Sequence, residues 1–65
     1  MKVALKELRV AAGLRQEDVA KKLNIGQAAV SLWEAKKTRP SRKYLKPLAR
    51  LYRVSLETLL KEVEG

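Results

Sequence analysis

The sequence predicts an all-α fold, a bundle of five short helices. Three observations support this prediction: apolar residues recur at spacings of three and four, no run of β-branched residues alternates with polar ones, and typical capping residues separate the apolar runs. The chain has 65 residues and shows no internal repeat, linker or low-complexity tract. A chain of this length forms one small domain, which we assign to residues 1–65.

The first helix is predicted from an apolar stripe near the start of the chain. Leu5, Leu8 and Ala12 lie at i, i+3 and i+7, which places them on one face of a helix. We expect this helix to begin near Lys2 and to end at Gly13, since glycine readily adopts the left-handed conformation of a C-terminal cap.

The second and third helices are predicted on either side of Asn24. The second spans Gln16–Leu23 and turns Val19, Ala20 and Leu23 inward. Asn24 follows it, and after glycine asparagine is the residue that best tolerates a left-handed cap. The third helix runs from about Gln27 to Ala35 and buries Val30 and Trp33.

The fourth and fifth helices are each predicted to start after a serine cap. Ser41 precedes a helix that contains Pro47, so that helix either kinks there or becomes regular only near Lys46. Its inward residues are Leu45, Leu48, Ala49 and Tyr52. Ser55 caps the fifth helix, whose apolar stripe is Leu56, Leu59, Leu60 and Val63. Trp33, Tyr44 and Tyr52 are expected in or beside the core rather than on a base-stacking surface.

Positive charge is concentrated in one segment of the chain. Fifteen Lys and Arg residues against seven Asp and Glu give a net charge of +8. Between Ala35 and Leu56 there is no acidic residue, and the cations are Lys36, Lys37, Arg39, Arg42, Lys43, Lys46, Arg50 and Arg53. Such a cluster indicates a polyanionic partner, nucleic acid before an anionic membrane, with a merely solubilising surface as the alternative.

The composition excludes several classes of function. The chain has no cysteine and no histidine, which rules out disulfides, Cys/His zinc sites and cysteine nucleophiles. The acidic residues are scattered, and no apolar run approaches the roughly 20 residues of a membrane span. We therefore expect no enzyme, no cofactor, no metal, no small-molecule substrate and no membrane insertion, and a cytoplasmic location.

The segment from Gln16 to Ala35 resembles a helix-turn-helix. A small residue at the helix crossing (Ala20), a left-handed turn residue (Asn24) and apolar groups on both helices are what this motif requires. With its flanks, the chain resembles the lambda-repressor-like, Cro/cI-type (XRE) helix-turn-helix family from about Leu5 to Leu60. The matching positions are Leu8-Arg9, Gly13-Leu14, Gln16, Ala20, Val30-Ser31, Glu34, Pro40-Ser41 and Leu48-Ala49.

The resemblance implies a five-helix DNA-binding domain whose third helix lies in the major groove. By position, the residues facing base edges would be Gln27, Ala28, Ser31 and Leu32. Phosphate contacts are expected from Gln16 and from the positive segment at Lys36, Lys37, Thr38, Arg39 and Arg42. Arg9 and Glu34 match a pair that forms an internal salt bridge in this family.

The sequence departs from the family pattern at several turns. Arg15 and Gly26 stand where the family often has a Ser or Thr cap. Glycines expected at Asn24, Lys36 and Arg53 are absent, so these residues must adopt left-handed or adjusted conformations at a cost of about 1 kcal/mol each, less for Asn.

Direct base readout is expected to depend on Gln27, the one residue of the exposed set whose side chain can pair bidentately with adenine. Ala28 and Leu32 can touch a thymine methyl group, although Leu32 could also be an ordinary surface residue or part of an interface. If Gln27 is only solvated, specificity comes from DNA shape instead.

We therefore expect a sequence-specific regulator of transcription, and a repressor rather than an activator. The alternative is a helix-turn-helix protein-interaction module, antitoxin-like or a regulatory subunit, that uses its basic face to hold an acidic partner. The family often dimerises through helix five, so we expect a homodimer through Leu56, Leu59, Leu60 and Val63, with double-stranded DNA as the partner.

Overall fold

A computed structural model describes residues 4–64 and confirms the all-α, five-helix prediction. Within these residues there is no strand. The helices are α1 Leu5–Ala11, α2 Gln16–Leu23, α3 Gln27–Glu34, α4 Arg42–Tyr52 and α5 Leu56–Glu64. Ala4 has extended backbone angles (φ −66°, ψ 157°), so α1 begins at Leu5 and the predicted start near Lys2 is wrong. Lys2 itself lies outside the described residues.

All five helices contribute to one core. α2 packs against α3, α4 packs against α5, and α1 contacts α3, α4 and α5. The buried apolar residues are Leu5, Leu8, Val19, Ala20, Val30, Trp33, Leu48, Ala49, Tyr52 and Leu59. Trp33 is 7% exposed and Tyr52 5%, while Tyr44 is half-buried, so the predicted core or boundary roles of the three aromatic residues are confirmed.

The first four helices all end in the same left-handed cap. Gly13, Asn24, Lys36 and Arg53 have φ values of 75°, 56°, 61° and 57°. At each, the residue's N–H donates to the carbonyl three positions back and the next N–H to the carbonyl five positions back, which is the Schellman motif. The expectation of left-handed conformations at the three non-glycine residues is therefore confirmed.

The helix starts are capped less uniformly. Thr58 N–H donates to Ser55 Oγ at 3.0 Å, as predicted for α5. Ser41 occupies the N-cap position of α4, as predicted, although its side chain makes no capping hydrogen bond. Its hydroxyl is exposed to water instead, and its carbonyl accepts the N–H of Tyr44 at 2.9 Å. Gly26, at the N-cap of α3, has no side chain to offer.

Arg15 stands at the N-cap of α2 and makes no side-chain cap hydrogen bond, because a guanidinium has no acceptor. The Asp18 carboxylate accepts the backbone N–H of Arg15 at 2.8 Å, so an orphan donor at this helix start is still satisfied. Hydrogen bonds from the Arg15 side chain and backbone lower the pKa of the Asp18 carboxyl.

Pro47 lies within α4 without delaying its start. The helix begins at Arg42, so the second of the two alternatives, a later start near Lys46, is wrong. Pro47 has no N–H to donate to the carbonyl of Lys43. Lys43 is exposed, so water can donate to that carbonyl instead. No helix in the described chain is long and apolar enough to span a bilayer.

Candidate nucleic-acid interface

The α2–turn–α3 unit holds α3 at a fixed angle. Val19 of α2 and Val30 of α3 are completely buried, and Ala20 at the crossing is 4% exposed. Trp33 packs against the Tyr44 ring, with centroids 5.7 Å apart and planes tilted by 44°. These buried contacts leave the opposite face of α3 to solvent.

The exposed face of α3 carries the four residues predicted to face base edges, namely Gln27, Ala28, Ser31 and Leu32. Leu32 is 40% exposed, an unusual amount for a leucine on a helix that buries its other apolar residues. A helix face free of neighbouring elements is what the major groove admits.

An ion pair connects α1 to the end of α3. Arg9 Nε donates to Glu34 Oε2 at 2.6 Å, Arg9 Nη2 donates to Glu34 Oε1 at 3.2 Å, and the two side chains are 10% and 7% exposed. Arg9 Nη1 also donates to the carbonyl of Leu14 at 2.9 Å. The hydrogen bond to Glu34 raises the pKa of Arg9. The pair neutralises a carboxylate that would otherwise stand close to the α3 surface.

A chain of amides links this pair to the exposed face of α3. Gln16 Nε2 donates to Glu34 Oε1 at 3.0 Å, and Gln27 Nε2 donates to Gln16 Oε1 at 3.4 Å. Because a carboxylate only accepts, Gln16 must turn its amino group toward Glu34 and its oxygen toward Gln27. Gln27 Oε1 lies outside these contacts, so the Gln27 amide is oriented by residues behind the surface.

The loop after α3 is positively charged and exposed. Lys36, Lys37, Thr38 and Arg39 are all exposed, as is Arg42 in the first turn of α4. Pro40 is buried and fastens the loop to the domain. Gln16, at the start of α2, is half-buried and is the one predicted phosphate contact that lies away from this segment.

The positive segment does not form a single surface. Lys43, Lys46 and Arg50 of α4 line a groove with Lys22 of α2, and no residue of α3 lines it. The clustering of charge in the sequence did not identify this groove, because the residues that line it come from α2 as well as from α4. The signal in the sequence was the spacing of positions 43, 46, 47 and 50, which places these residues along one side of a helix. In the described part of the chain, no group of three or more acidic side chains could hold a metal ion.

An exposed helix held by a helix-turn-helix and followed by a basic loop defines the DNA-binding class of small helical domains. A helix-turn-helix family model matches residues 5–59, and the chain belongs to this Cro/cI-type (XRE) family.

The chain is 34% identical over 56 residues to a protein named HTH-type transcriptional activator BcrR, from Enterococcus faecalis. The similarity covers 86% of this chain and 28% of that relative, so the chain spans little more than a quarter of the relative's length. No solved structure matches the chain.

Proposed function

We propose that this domain binds double-stranded DNA sequence-specifically as a transcriptional regulator, with α3 in the major groove. The observation that carries the proposal is the Gln27 amide on the exposed face of α3, oriented through Gln16 by the buried Arg9–Glu34 pair. An amide held in one orientation offers a donor and an acceptor in fixed order, which suits the N7 and N6 atoms of adenine. Orientation before binding also lowers the entropy cost of the contact.

The other exposed residues of α3 have narrower roles in this proposal. Ser31 can donate to or accept from any base, and the methyl and methylene groups of Ala28 and Leu32 suit a thymine methyl. Phosphate contacts come from Gln16 and from the basic loop, at Lys36, Lys37, Thr38, Arg39 and Arg42. These contacts set the register of the domain on the duplex without reading sequence.

The two glutamines should therefore respond differently to truncation. Gln27→Ala should cost about 1–3 kcal/mol on the selected site and leave affinity for random duplex nearly unchanged. Gln16→Ala should weaken both kinds of site through its lost phosphate contact, which carries no sequence information, and should weaken the selected site somewhat further because Gln27 loses the group that orients it. The measurement is a titration of both variants on the site selected from a random pool and on a scrambled duplex, at one salt concentration. Equal losses on both duplexes for Gln27→Ala would assign specificity to DNA shape instead.

The electrostatic part of the proposal has its own test. Lys37→Ala should weaken selected and random duplexes equally and make the slope of log K against log salt shallower by about 0.9. Thr38→Ala, which removes no charge from the same loop, is the matched control and should leave the slope unchanged. A wild-type affinity that does not respond to salt would favour the alternative prediction, a module that binds an acidic protein instead of DNA.

We propose that binding represses transcription, because a domain seated in the major groove excludes other proteins from that DNA without any further contact. The Enterococcus relative is named an activator, so activation is the outcome that would contradict this part. A promoter fused to a reporter, with the selected site overlapping the polymerase-binding region, measures the sign directly. We propose no catalytic role. We expect a DNA-binding regulator of transcription to work in the cytoplasm.

We also propose a homodimer through α5, with a corrected set of residues. Leu59 is completely buried in the monomer and has no surface to offer a partner. Leu56 and Leu60 are half-buried and line an open groove with Leu45, whereas Val63 lines a separate hollow beside Trp33. The proposed two-fold interface therefore consists of Leu45, Leu56 and Leu60.

The cations beside this groove limit the strength of the proposed dimer. Arg42, Lys43 and Lys46 line the groove with the leucines, and a two-fold axis would bring the same charges of both copies together. Dimerisation should therefore be weak in free solution and strengthen on DNA, where the phosphate proposed to contact Arg42 neutralises part of the repulsion. Leu60→Asp should abolish cooperative binding to a palindromic site, while Val10→Asp, at a 57% exposed position on α1, should not. Unchanged cooperativity in Leu60→Asp would remove this interface.

A further inference from the structure

A second surface, distinct from the exposed face of α3, lies between the C-terminal end of α2 and one side of α4. We call it the α4 groove. Its volume is about 530 Å³. Its apolar residues are Leu23, Pro47 and Leu51, all half-buried. Its charged residues are Lys22, Lys43, Lys46 and Arg50, all exposed. A neighbouring hollow extends the groove toward Asn24 and Tyr44. The residues common to both are Lys22, Leu23, Lys43 and Pro47.

The α4 groove is a continuous stripe rather than a chance hollow. On α4, its residues stand at positions 43, 46, 47, 50 and 51, the i, i+3, i+4, i+7 and i+8 positions of one helix side. The stripe is about 12 Å long at 1.5 Å per residue, which matches about two turns of a docked helix. Leu48, Ala49 and Tyr52 occupy the buried side of the same helix. On the side that lines the groove, the half-buried Pro47 and Leu51 lie among three exposed cations.

The charges of the α4 groove all have the same sign. Four cations line it and no acidic residue does. A phosphate backbone would use the charges and leave the apolar floor facing polar oxygens, which gains nothing from the hydrophobic effect. An amphipathic segment with carboxylates beside its apolar side chains would use both features, because its leucine-like residues cover the floor and its carboxylates meet the lysines and the arginine.

We propose that the α4 groove docks an acidic, amphipathic helical segment of a partner protein. The residues proposed to face bases, Gln27, Ala28, Ser31 and Leu32, do not line the groove. The segment and DNA can therefore occupy the domain together. A contact of two helical turns buries less than about 1,200 Å² and belongs to the transient class. The proposal does not depend on DNA binding by α3.

The test is fluorescence anisotropy with a dye-labelled synthetic peptide of about 12 residues, with leucines at helical spacing and glutamates at its flanks. Two peptides control it: one replaces every glutamate by glutamine, and the other keeps the composition but scatters the leucines around the helix. The wild-type domain should bind the acidic amphipathic peptide about tenfold more tightly than either control. Equal binding of the ordered and scattered acidic peptides, or no binding of any, would overturn the proposal.

Two matched double charge reversals locate the binding. Lys46→Glu with Arg50→Glu should reduce peptide affinity about tenfold or more, whereas Lys37→Glu with Arg39→Glu in the basic loop should change it less than about threefold. All four side chains are exposed, so neither variant should disturb the core, and Lys46→Gln with Arg50→Gln gives a milder version. An equal loss of peptide binding in the two reversals would overturn the proposal. Unchanged peptide binding by the α4 reversal would also overturn it. If the α4 reversal in that case lost as much affinity for duplex DNA as the loop reversal, the groove would be assigned to DNA.

Discussion

Truncation of Arg9 is the sharpest test of how the scaffold and the exposed face of α3 are joined. Arg9→Ala removes two donors from Glu34 and one from the carbonyl of Leu14. The Glu34 side chain is only 7% exposed, so the carboxylate is left largely out of water without its counter-charge. An uncompensated buried charge, rather than the lost attraction itself, then dominates the free energy of unfolding.

The magnitude follows from what remains around Glu34. Breaking a buried pair by removing one partner costs about 3–5 kcal/mol. Gln16 Nε2 still donates to Glu34 Oε1, so we expect a loss near the lower end, about 3 kcal/mol. A domain of this size has a total stability of about 3–10 kcal/mol, so Arg9→Ala should remove a large part of it.

The assay is urea unfolding followed by fluorescence of Trp33, the one tryptophan in the chain and a core residue. The matched control is Arg15→Ala, which breaks the ion pairs of Arg15 with Glu17 and with Asp18. The Arg15 side chain is 72% exposed. Solvent screens these pairs, so the control should lose far less stability than Arg9→Ala. Replacing Arg9 and Glu34 together by methionines should recover most of the loss. If Arg9→Ala and Arg15→Ala lower the urea midpoint equally, burial of the Arg9–Glu34 pair does not determine its contribution to stability.

Three further predictions concern stability. Arg53→Gly should raise the free energy of unfolding by about 1 kcal/mol, since Arg53 has φ 57° and glycine carries no Cβ penalty there; an unchanged urea midpoint would contradict it. Gly26→Ser should add a few tenths of a kcal/mol by capping α3; a Cβ at Gly26 meets no atom within 4 Å, so a destabilised variant would argue against the cap. Burial raises the pKa of Tyr52 to about 12, helped by the charge of Glu34. Because this pKa is above the ordinary value of 10, the contribution of the neutral phenol is complete below pH 10 and is lost as the pH rises toward 12. The stability of Tyr52→Phe should therefore fall less over that range, and parallel curves for the two proteins would refute the assignment.

Helical periodicity was enough to place the elements of this fold. The bounds of α2 match the prediction, and the other helices differ by a few residues at their ends. The left-handed caps at Lys36 and Arg53 were also predictable, because a chain that must turn after a helix has few other conformations available, whatever residue stands there. Local rules succeed where the controlling contacts lie within one turn of the chain.

The parts that depend on distant residues were not predictable to the same degree. The burial of Leu59 relative to Leu56 and Leu60 depends on how α5 meets α4, and the four apolar residues look alike in the sequence. The sequence places Ser41 at the N-cap of α4, but whether its hydroxyl makes a capping hydrogen bond depends on its rotamer. The orientation of the Gln27 amide follows from a chain of contacts that ends at Arg9, 18 positions away.

The division of positive charge between two surfaces makes a final prediction about the number of phosphates each domain contacts. Eight cations without an opposing acid lie between Ala35 and Leu56. If all of them met phosphates, log K would fall with log salt at a slope of about −7 per domain, at −0.9 for each phosphate. Three of the eight, Lys43, Lys46 and Arg50, line the α4 groove instead.

Four cations remain among the proposed phosphate contacts, Lys36, Lys37, Arg39 and Arg42, and they give a slope of about −3.6. The measurement is a salt titration of the wild-type domain on a duplex that admits one copy, repeated with Lys46→Gln and Arg50→Gln together. The double variant should keep the wild-type slope, because charges in a groove that we propose to bind protein release no counterions from DNA. The opposite result would be a wild-type slope near −7 that becomes shallower in the double variant by about 0.9 for each of the two charges removed. That result would mean that α4 lies along the phosphates. The α4 groove would then belong to the DNA-binding surface.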